Sequence, residues 1–526
     1  MRSFWLCRSL FLALQFQLSS AFKLTDCVAR TAKAHVNGHP GVPDPVCEWL
    51  GIPYASPPTG QLRFAPPAKF YLEGSIDADH YGFDCPQTAS STFAYPNATS
   101  QYPRIYANFV NQLNNTQSED CLTLNVWPRT YKCGRILKPV IVWIHGGRFS
   151  AGSSHTPFYH GGNLAGTQDV VVVTFNFRMN IFGFPGSPET TQNIGFFDQH
   201  LAVEWTHENI AAFGGDPDRI TIIGQSSGAV AVSNWAYAFE DNPIVTGTMS
   251  HSGSIFSFPI LDADLAAAHW NHVASALGCG GASDSALSCM RSENISFQSI
   301  LSAVRTVPPA PGSSPARSVP PFQATVDNAT AFSVSEYVSR LRSAAFAPLP
   351  HFQIHGDHES GFYRISALAQ GQSLPESEWE EFELESFTCA TAAETYWRSR
   401  AGVPTYRARY MADWDNLRLY DPPSSGAYHG VEVNMVTGNS ESVSGIAPSP
   451  HELKLTGIMQ ETWAAFAADP ARGLLRLGWP HYQAGGESLV RLGIRTTPVV
   501  DVVSSRMHDN TCPTLNLSFW DGSIPS

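Results

Sequence analysis

The sequence predicts an α/β fold: a large, mostly parallel, twisted β-sheet flanked by helices. Three observations predict it. Short runs rich in β-branched residues recur between Lys138 and Ser250. Stretches with helical apolar spacing lie between them. The runs are continuously apolar rather than alternating, as strands buried on both faces are. Strands separated by helices in this way imply a parallel sheet with covered faces.

At the start, MRSFWLCRSLFLALQFQLSSAF carries Arg2 and Arg8, then the apolar stretch Leu10–Leu18, then small residues at Ser19-Ser20-Ala21. This pattern predicts a secretory signal peptide over residues 1–21 and a single catalytic domain over 22–526. No later window holds the roughly 18 uninterrupted apolar residues that a membrane span requires. The closing FWDGSIPS carries neither a retention signal nor an anchor tail. The expected location is extracellular, with no stable membrane anchor. Five sequons, at Asn97, Asn114, Asn294, Asn328 and Asn516, fit that route as glycosylation acceptors. Ten cysteines, one of them Cys7 in the signal, leave nine in the mature chain. That count predicts disulfides in an oxidising compartment. No CxxC spacing or Cys/His cluster suggests a metal site, and no cofactor is expected.

With 43% hydrophobic and 15% charged residues, the chain can bury a sizeable core and is not a disordered type. A formal charge of −13 with no Lys/Arg run argues against nucleic acid as a partner. The sequence carries no signal for oligomeric state.

The first strand run is Pro139–Ile144, stopping at His145-Gly146-Gly147. The second is Val170–Phe175. Asp198–Ala212 has apolar spacing at Leu201, Trp205 and Ile210, which predicts a helix. The third run, Ile220–Ile223, stops at Gly224, and AVAVSNWAYAF beginning at Ala229 predicts another helix. Thr306–Pro321 is rich in proline and serine and reads as a long surface loop within the domain.

Between the third run and its helix stands Gly224-Gln225-Ser226-Ser227-Gly228. In a strand–turn–helix context this GxSxG frame is a nucleophile elbow with Ser226 at its centre. A serine alcohol needs a base, and the oxyanion formed on attack needs donors. The loop His145-Gly146-Gly147-Arg148 lies where an oxyanion loop belongs. A backbone N–H of this loop and that of Ser227 are the candidate oxyanion donors.

The chain resembles a type-B carboxylesterase/lipase of the α/β-hydrolase superfamily, most of all its secreted fungal members. The resemblance rests on LGIPYA from Leu50, LRF from Leu62, SEDCLTLNV from Ser118, HGG at His145, FGGDP from Phe213, GQSSG at Gly224 and GAYHGVE from Gly426. It implies an α/β-hydrolase fold with cap or lid excursions, and hydrolysis of a small-molecule carboxylic ester. It places the catalytic base at His429 and the oxyanion hole at the backbone N–H groups of Gly147, Arg148 and Ser227. The acid falls on Glu359 within HGDHESGF, where His358 and Ser360 depart from the family pattern and keep Asp357 open as an alternative. Glu432 follows the histidine, the wrong order for this role, and is expected to support the site from behind. The resemblance also implies disulfides Cys85–Cys121 and Cys279–Cys289. Cys389 with Cys512 is one open pairing, and Cys27, Cys47 and Cys133 have no assigned partner. The Cys85–Cys121 loop holds no tryptophan, so the aromatic platform for quaternary ammonium substrates is missing. Arg148 stands where many relatives have a third glycine; its side chain either narrows the acyl side, attracts a carboxylate, or turns to solvent or a salt bridge. Two alternatives stand beside the esterase: a triacylglycerol lipase with a mobile apolar lid, and a catalytically silent, neuroligin-like binding protein. The second is disfavoured because a serine, an acid and a histidine are all present.

Overall fold

The computed structural model describes residues 27–43, 45–88, 93–130, 136–280, 285–311, 313–314, 316–317, 319–520 and 524. The expected signal peptide and Cys133 lie outside the described residues.

Among the described residues eleven strands form one sheet: β1 His39–Pro40, β2 Cys47–Pro53, β3 Thr123–Pro128, β4 Lys138–Ile144, β5 Val171–Phe175, β6 Gly215–Gln225, β7 Gly247–His251, β8 His351–Gly356, β9 Thr405–Ala412, β10 Glu487–Arg495 and β11 Thr497–Ser504. Their spatial order is β11-β10-β9-β8-β7-β6-β4-β5-β3-β2-β1. The centre, from β5 to β10, is parallel throughout. The two edges are antiparallel. A separate small sheet joins Val28–Arg30, Ala34–Asn37 and Gly74–Asp77.

β4 explains why its run is continuously apolar. Val140, Val142 and Ile144 pack on one face with Ile220, Ile222, Trp205 and Val230. Ile141 and Trp143 point to the opposite face, with Ile223, Phe352 and Trp463. Successive strand residues alternate faces, so a sheet covered on both sides needs apolar residues at every position.

The predicted helix after β5 runs Ile194–Asn209 and continues as a short 3₁₀ turn, Ile210–Phe213. The helix after the serine motif is Ser227–Ala238. Thr306–Pro321 holds no helix or strand among its described residues.

The structure joins Cys27–Cys47, Cys85–Cys121, Cys279–Cys289 and Cys389–Cys512. All five sequon asparagines are exposed. Among the described residues no helix is long and apolar enough to cross a membrane.

Candidate active site

β4, β6, β7 and β8 end on the same side of the sheet, and the loops that leave them converge there. In open parallel sheets this carboxyl edge is where ligands bind.

β6 ends at Gln225 and the next helix begins at Ser227, so Ser226 alone makes the turn. Its backbone stands at φ 58° and ψ −124°. A non-glycine residue held there costs about 1–3 kcal/mol and persists only when its surroundings fix it. They do: the Ser226 N–H donates to the His251 carbonyl at 2.8 Å. The flanking glycines are required by space. A Cβ on Gly224 would lie 2.2 Å from the Gly228 carbonyl oxygen, and one on Gly228 would lie 2.2 Å from that of Ile144.

The loop after β4 passes close by. Gly147 has φ +116°, and a Cβ there would sit 1.8 Å from the Ala151 carbonyl oxygen. Among the described hydrogen bonds, the N–H groups of Gly147 and Ser227 have no acceptor. Gly147 and Arg148 line the same cavity as Ser226, whereas Ser227 lines a neighbouring one. The Ser227 hydroxyl accepts the Phe149 N–H at 3.2 Å and so ties the loop to the elbow. His145 is structural. Its Nδ1 donates to the Gly146 carbonyl at 2.8 Å, its ring stacks on Phe177 at 4.5 Å, and burial lowers its pKa to about 4.

His429 is 2% exposed, and its Nδ1–H donates to Glu359 Oε2 at 2.6 Å. That bond leaves Nε2 as the acceptor. It receives the Gln225 side-chain amide at 3.1 Å and the Tyr363 hydroxyl at 3.2 Å. The other oxygen of Glu359 accepts the Gly356 N–H at 2.6 Å and the Ser252 hydroxyl at 2.7 Å. Asp357 faces elsewhere: it accepts Arg409 Nε at 2.6 Å. Geometry therefore brings Glu359, and not Asp357, to His429. Glu432 contacts His251, whose Nδ1 lies 3.1 Å from its carboxylate and whose Nε2 accepts the Trp463 indole N–H at 2.9 Å. Glu432 thus steadies the residue whose carbonyl holds Ser226.

The cavity containing Ser226 and His429 measures about 180 Å³ and is walled by Tyr106, Phe109, Tyr159, Phe362 and Tyr363. Tyr363 is buried, which pushes its hydroxyl well above the usual tyrosine range and keeps it a donor. The motif reading misses Tyr363 and Gln225. Gln225 occupies the variable place inside GxSxG, and Tyr363 follows HESGF directly. A polar side chain inside each motif was the available signal, but its direction depends on tertiary packing.

The model of the carboxylesterase family matches residues 28–345. The chain is 32% identical to the chlorogenic acid esterase of Aspergillus niger, over 85% of this chain and 86% of that protein. It is 31% identical to secreted lipase 5 of Gibberella zeae, again over 85% and 86%. Among solved structures it resembles a thermophilic PNB esterase, with a TM-score of 0.73 and 24% identity, covering 90% of this chain and 97% of that one.

Proposed function

The chain belongs to the carboxylesterase family, as a fungal-like type-B carboxylic ester hydrolase, and on that premise we propose that it is a secreted serine esterase acting through Ser226, His429 and Glu359. The observation that carries this reading is the meeting of three distant segments. A serine on a constrained turn shares one cavity with a histidine whose far nitrogen is bonded to a buried glutamate.

His429 Nε2 takes the proton as Ser226 Oγ attacks the ester carbonyl. Glu359 fixes the tautomer that leaves Nε2 basic and stabilises the imidazolium that forms. Three hydrogen bonds on the Glu359 carboxylate hold it in place for this work. The backbone N–H groups of Gly147, Arg148 and Ser227 receive the oxyanion. The imidazolium then protonates the leaving alcohol. Water repeats the cycle on the acyl-enzyme and releases the acid. The substrate is a small-molecule ester, and no step draws on a metal or cofactor.

Removal of residues 1–21 would leave 22–526 as one catalytic domain. Exposure of all five sequon asparagines and the four disulfides support the secretory route.

One observation favours an esterase over an interfacial lipase. The helix Tyr102–Phe109, inside the Cys85–Cys121 loop, is tied to the body from end to end. Gln101 donates to the Asp415 carbonyl at 2.8 Å, Arg104 to that of Ser442 at 2.9 Å and Asn108 to that of Val443 at 3.0 Å. Its buried Tyr102, Ile105 and Tyr106 join the core. Opening this segment as a lid would break these bonds and expose Tyr102, Ile105 and Tyr106.

The test is a p-nitrophenyl ester series with wild type and Ser226→Ala. The variant should lose about 10⁴–10⁶-fold in kcat. Equal turnover by both proteins would refute the mechanism. A rate jump when substrate forms an interface would restore the lipase.

A further inference from the structure

We infer that Tyr363 is a further catalytic residue of this site: its hydroxyl donates a hydrogen bond to the oxygen of the leaving alcohol as the ester C–O bond breaks. This rests on the esterase reading above and adds to it a group that acts when the alcohol departs.

Tyr363 stands four residues after Glu359, on the helix Ser360–Ala369 that Glu359 precedes with helical backbone of its own. Residues four apart lie one above the other on a helix face. That single turn grips both nitrogens of one imidazole. Glu359 Oε2 accepts the His429 Nδ1–H at 2.6 Å, and the Tyr363 hydroxyl donates to Nε2 at 3.2 Å. The Tyr363 ring is held by its neighbours. Its centroid lies 4.8 Å from that of Phe382, 6.1 Å from that of Phe387 and 5.0 Å from that of His429. Burial keeps the hydroxyl protonated and available as a donor. It lines the same cavity as Ser226 and His429.

A neutral Nε2 offers one acceptor site. Two donors crowd onto it, Tyr363 at 3.2 Å and the Gln225 amide at 3.1 Å, both toward the long end of the hydrogen-bond range. That site disappears when Nε2 takes the Ser226 proton, and both donors lose their acceptor. Gln225 stays tethered, because its Oε1 accepts the Tyr159 hydroxyl at 3.4 Å. The Tyr363 O–H can instead turn about its C–O bond without moving the ring. The acceptor that the reaction supplies is the alcohol oxygen, which must approach the Nε2–H and so meets a hydroxyl that faces the same nitrogen. As the tetrahedral adduct collapses, the C–O bond breaks and its electron pair goes to that oxygen. The Nε2 proton passes to the same oxygen. Tyr363 keeps its own proton and supplies a hydrogen bond while negative charge builds. The donor is released only after the base is protonated, which is when the leaving group needs it.

The experiment uses acetates whose leaving groups rise in basicity: p-nitrophenyl, phenyl, trifluoroethyl and ethyl. kcat/KM is measured for wild type and for Tyr363→Phe, which keeps the ring and removes only the hydroxyl. This ratio reports the steps through acylation, so hydrolysis of the shared acetyl-enzyme does not enter. Nitrophenolate leaves without help. Tyr363→Phe should therefore lower kcat/KM for p-nitrophenyl acetate by less than about threefold and that for ethyl acetate by about 10–100-fold. The other two esters should fall between. Retained turnover of p-nitrophenyl acetate also shows that the variant is folded. An equal loss on all four esters would overturn the inference, because His429 serves both attack and departure and its misplacement slows both. So would an undiminished rate on ethyl acetate. Fluorotyrosine in place of Tyr363 is a stronger donor on nearly the same ring. It should raise the ethyl-to-nitrophenyl ratio of kcat/KM above wild type, and an unchanged or lower ratio would count against the inference as heavily. Undiminished turnover by Ser226→Ala across the same esters would instead refute the esterase reading.

Discussion

Two adjacent serines do different work. In the proposed mechanism Ser226 supplies the nucleophile from a constrained turn and Ser227 offers its backbone N–H; the Ser227 hydroxyl also accepts the Phe149 N–H. Sequence predicts the first role and misses the second, because the partner lies 78 residues away and reaches the elbow only through the fold. Ser227→Ala should therefore slow turnover, about 3–10-fold in kcat, as the loop it steadies loosens; a net hydrogen bond of about 1 kcal/mol sets that scale. Steady-state kinetics with an unchanged KM would fit this role. The acid is a second case. HGDHES offers two carboxylates two residues apart, and spacing alone leaves them equal. Packing separates them, since Asp357 turns to Arg409 and Glu359 to His429. Glu359→Gln should lower kcat by about 10²–10⁴-fold, while Asp357→Asn should stay within a few-fold of wild type. The reverse result would move the acid to Asp357.

Among elements, the strand-to-helix elbow is the most legible and the sheet edges are the least. Ile220–Ile223 stands out because both faces of β6 are covered there. The full strand begins earlier, at Gly215, where half-exposed polar residues hide the pattern. β10 and β11 form an antiparallel hairpin at one edge, and in β11 exposed and half-exposed residues replace the unbroken apolar run. An edge strand needs no such run, so composition does not mark it. The elbow also carries a prediction about stability. A methyl group on Gly228 would meet the backbone of β4 rather than a movable side chain. Gly228→Ala should cost more than about 3 kcal/mol, by overpacking and by displacing the strand. A thermal melt would register this as a loss of several degrees or as failure to fold. A wild-type Tm would mean that β4 yields more readily than its packing implies.

Across the whole molecule, stability should depend on pH through buried histidines that take no part in the proposed proton transfer. His145 and His351 are fully buried, and burial lowers each to about 4 from an ordinary value near 6.5. In that interval the unfolded chain binds protons that the folded chain does not. Their contribution is complete above about pH 6.5 and is lost progressively as pH falls toward 4. Tm should drop across this window, and replacing His351 with glutamine should flatten the slope. A Tm that rises on acidification from 6.5 to 4 would contradict this account. The same scale explains what single-sequence reading reaches. Motifs with fixed local spacing, at Ser226 and His429, point to the proposed chemistry. The walls of the cavity around Ser226 come from segments more than 200 residues apart, from Tyr106 to Tyr363, and only the closed fold assembles them.

The Cys389–Cys512 bond has a consequence for survival among proteases. His429 lies inside the stretch that this bond closes, and so does the exposed Ile446 further along the chain. A single cut near Ile446 would break the chain between the piece bearing His429 and the C-terminal piece bearing β10 and β11. The disulfide would still join them. Such a nicked molecule should migrate as one band without reductant and as two with it, and should go on hydrolysing ester in between.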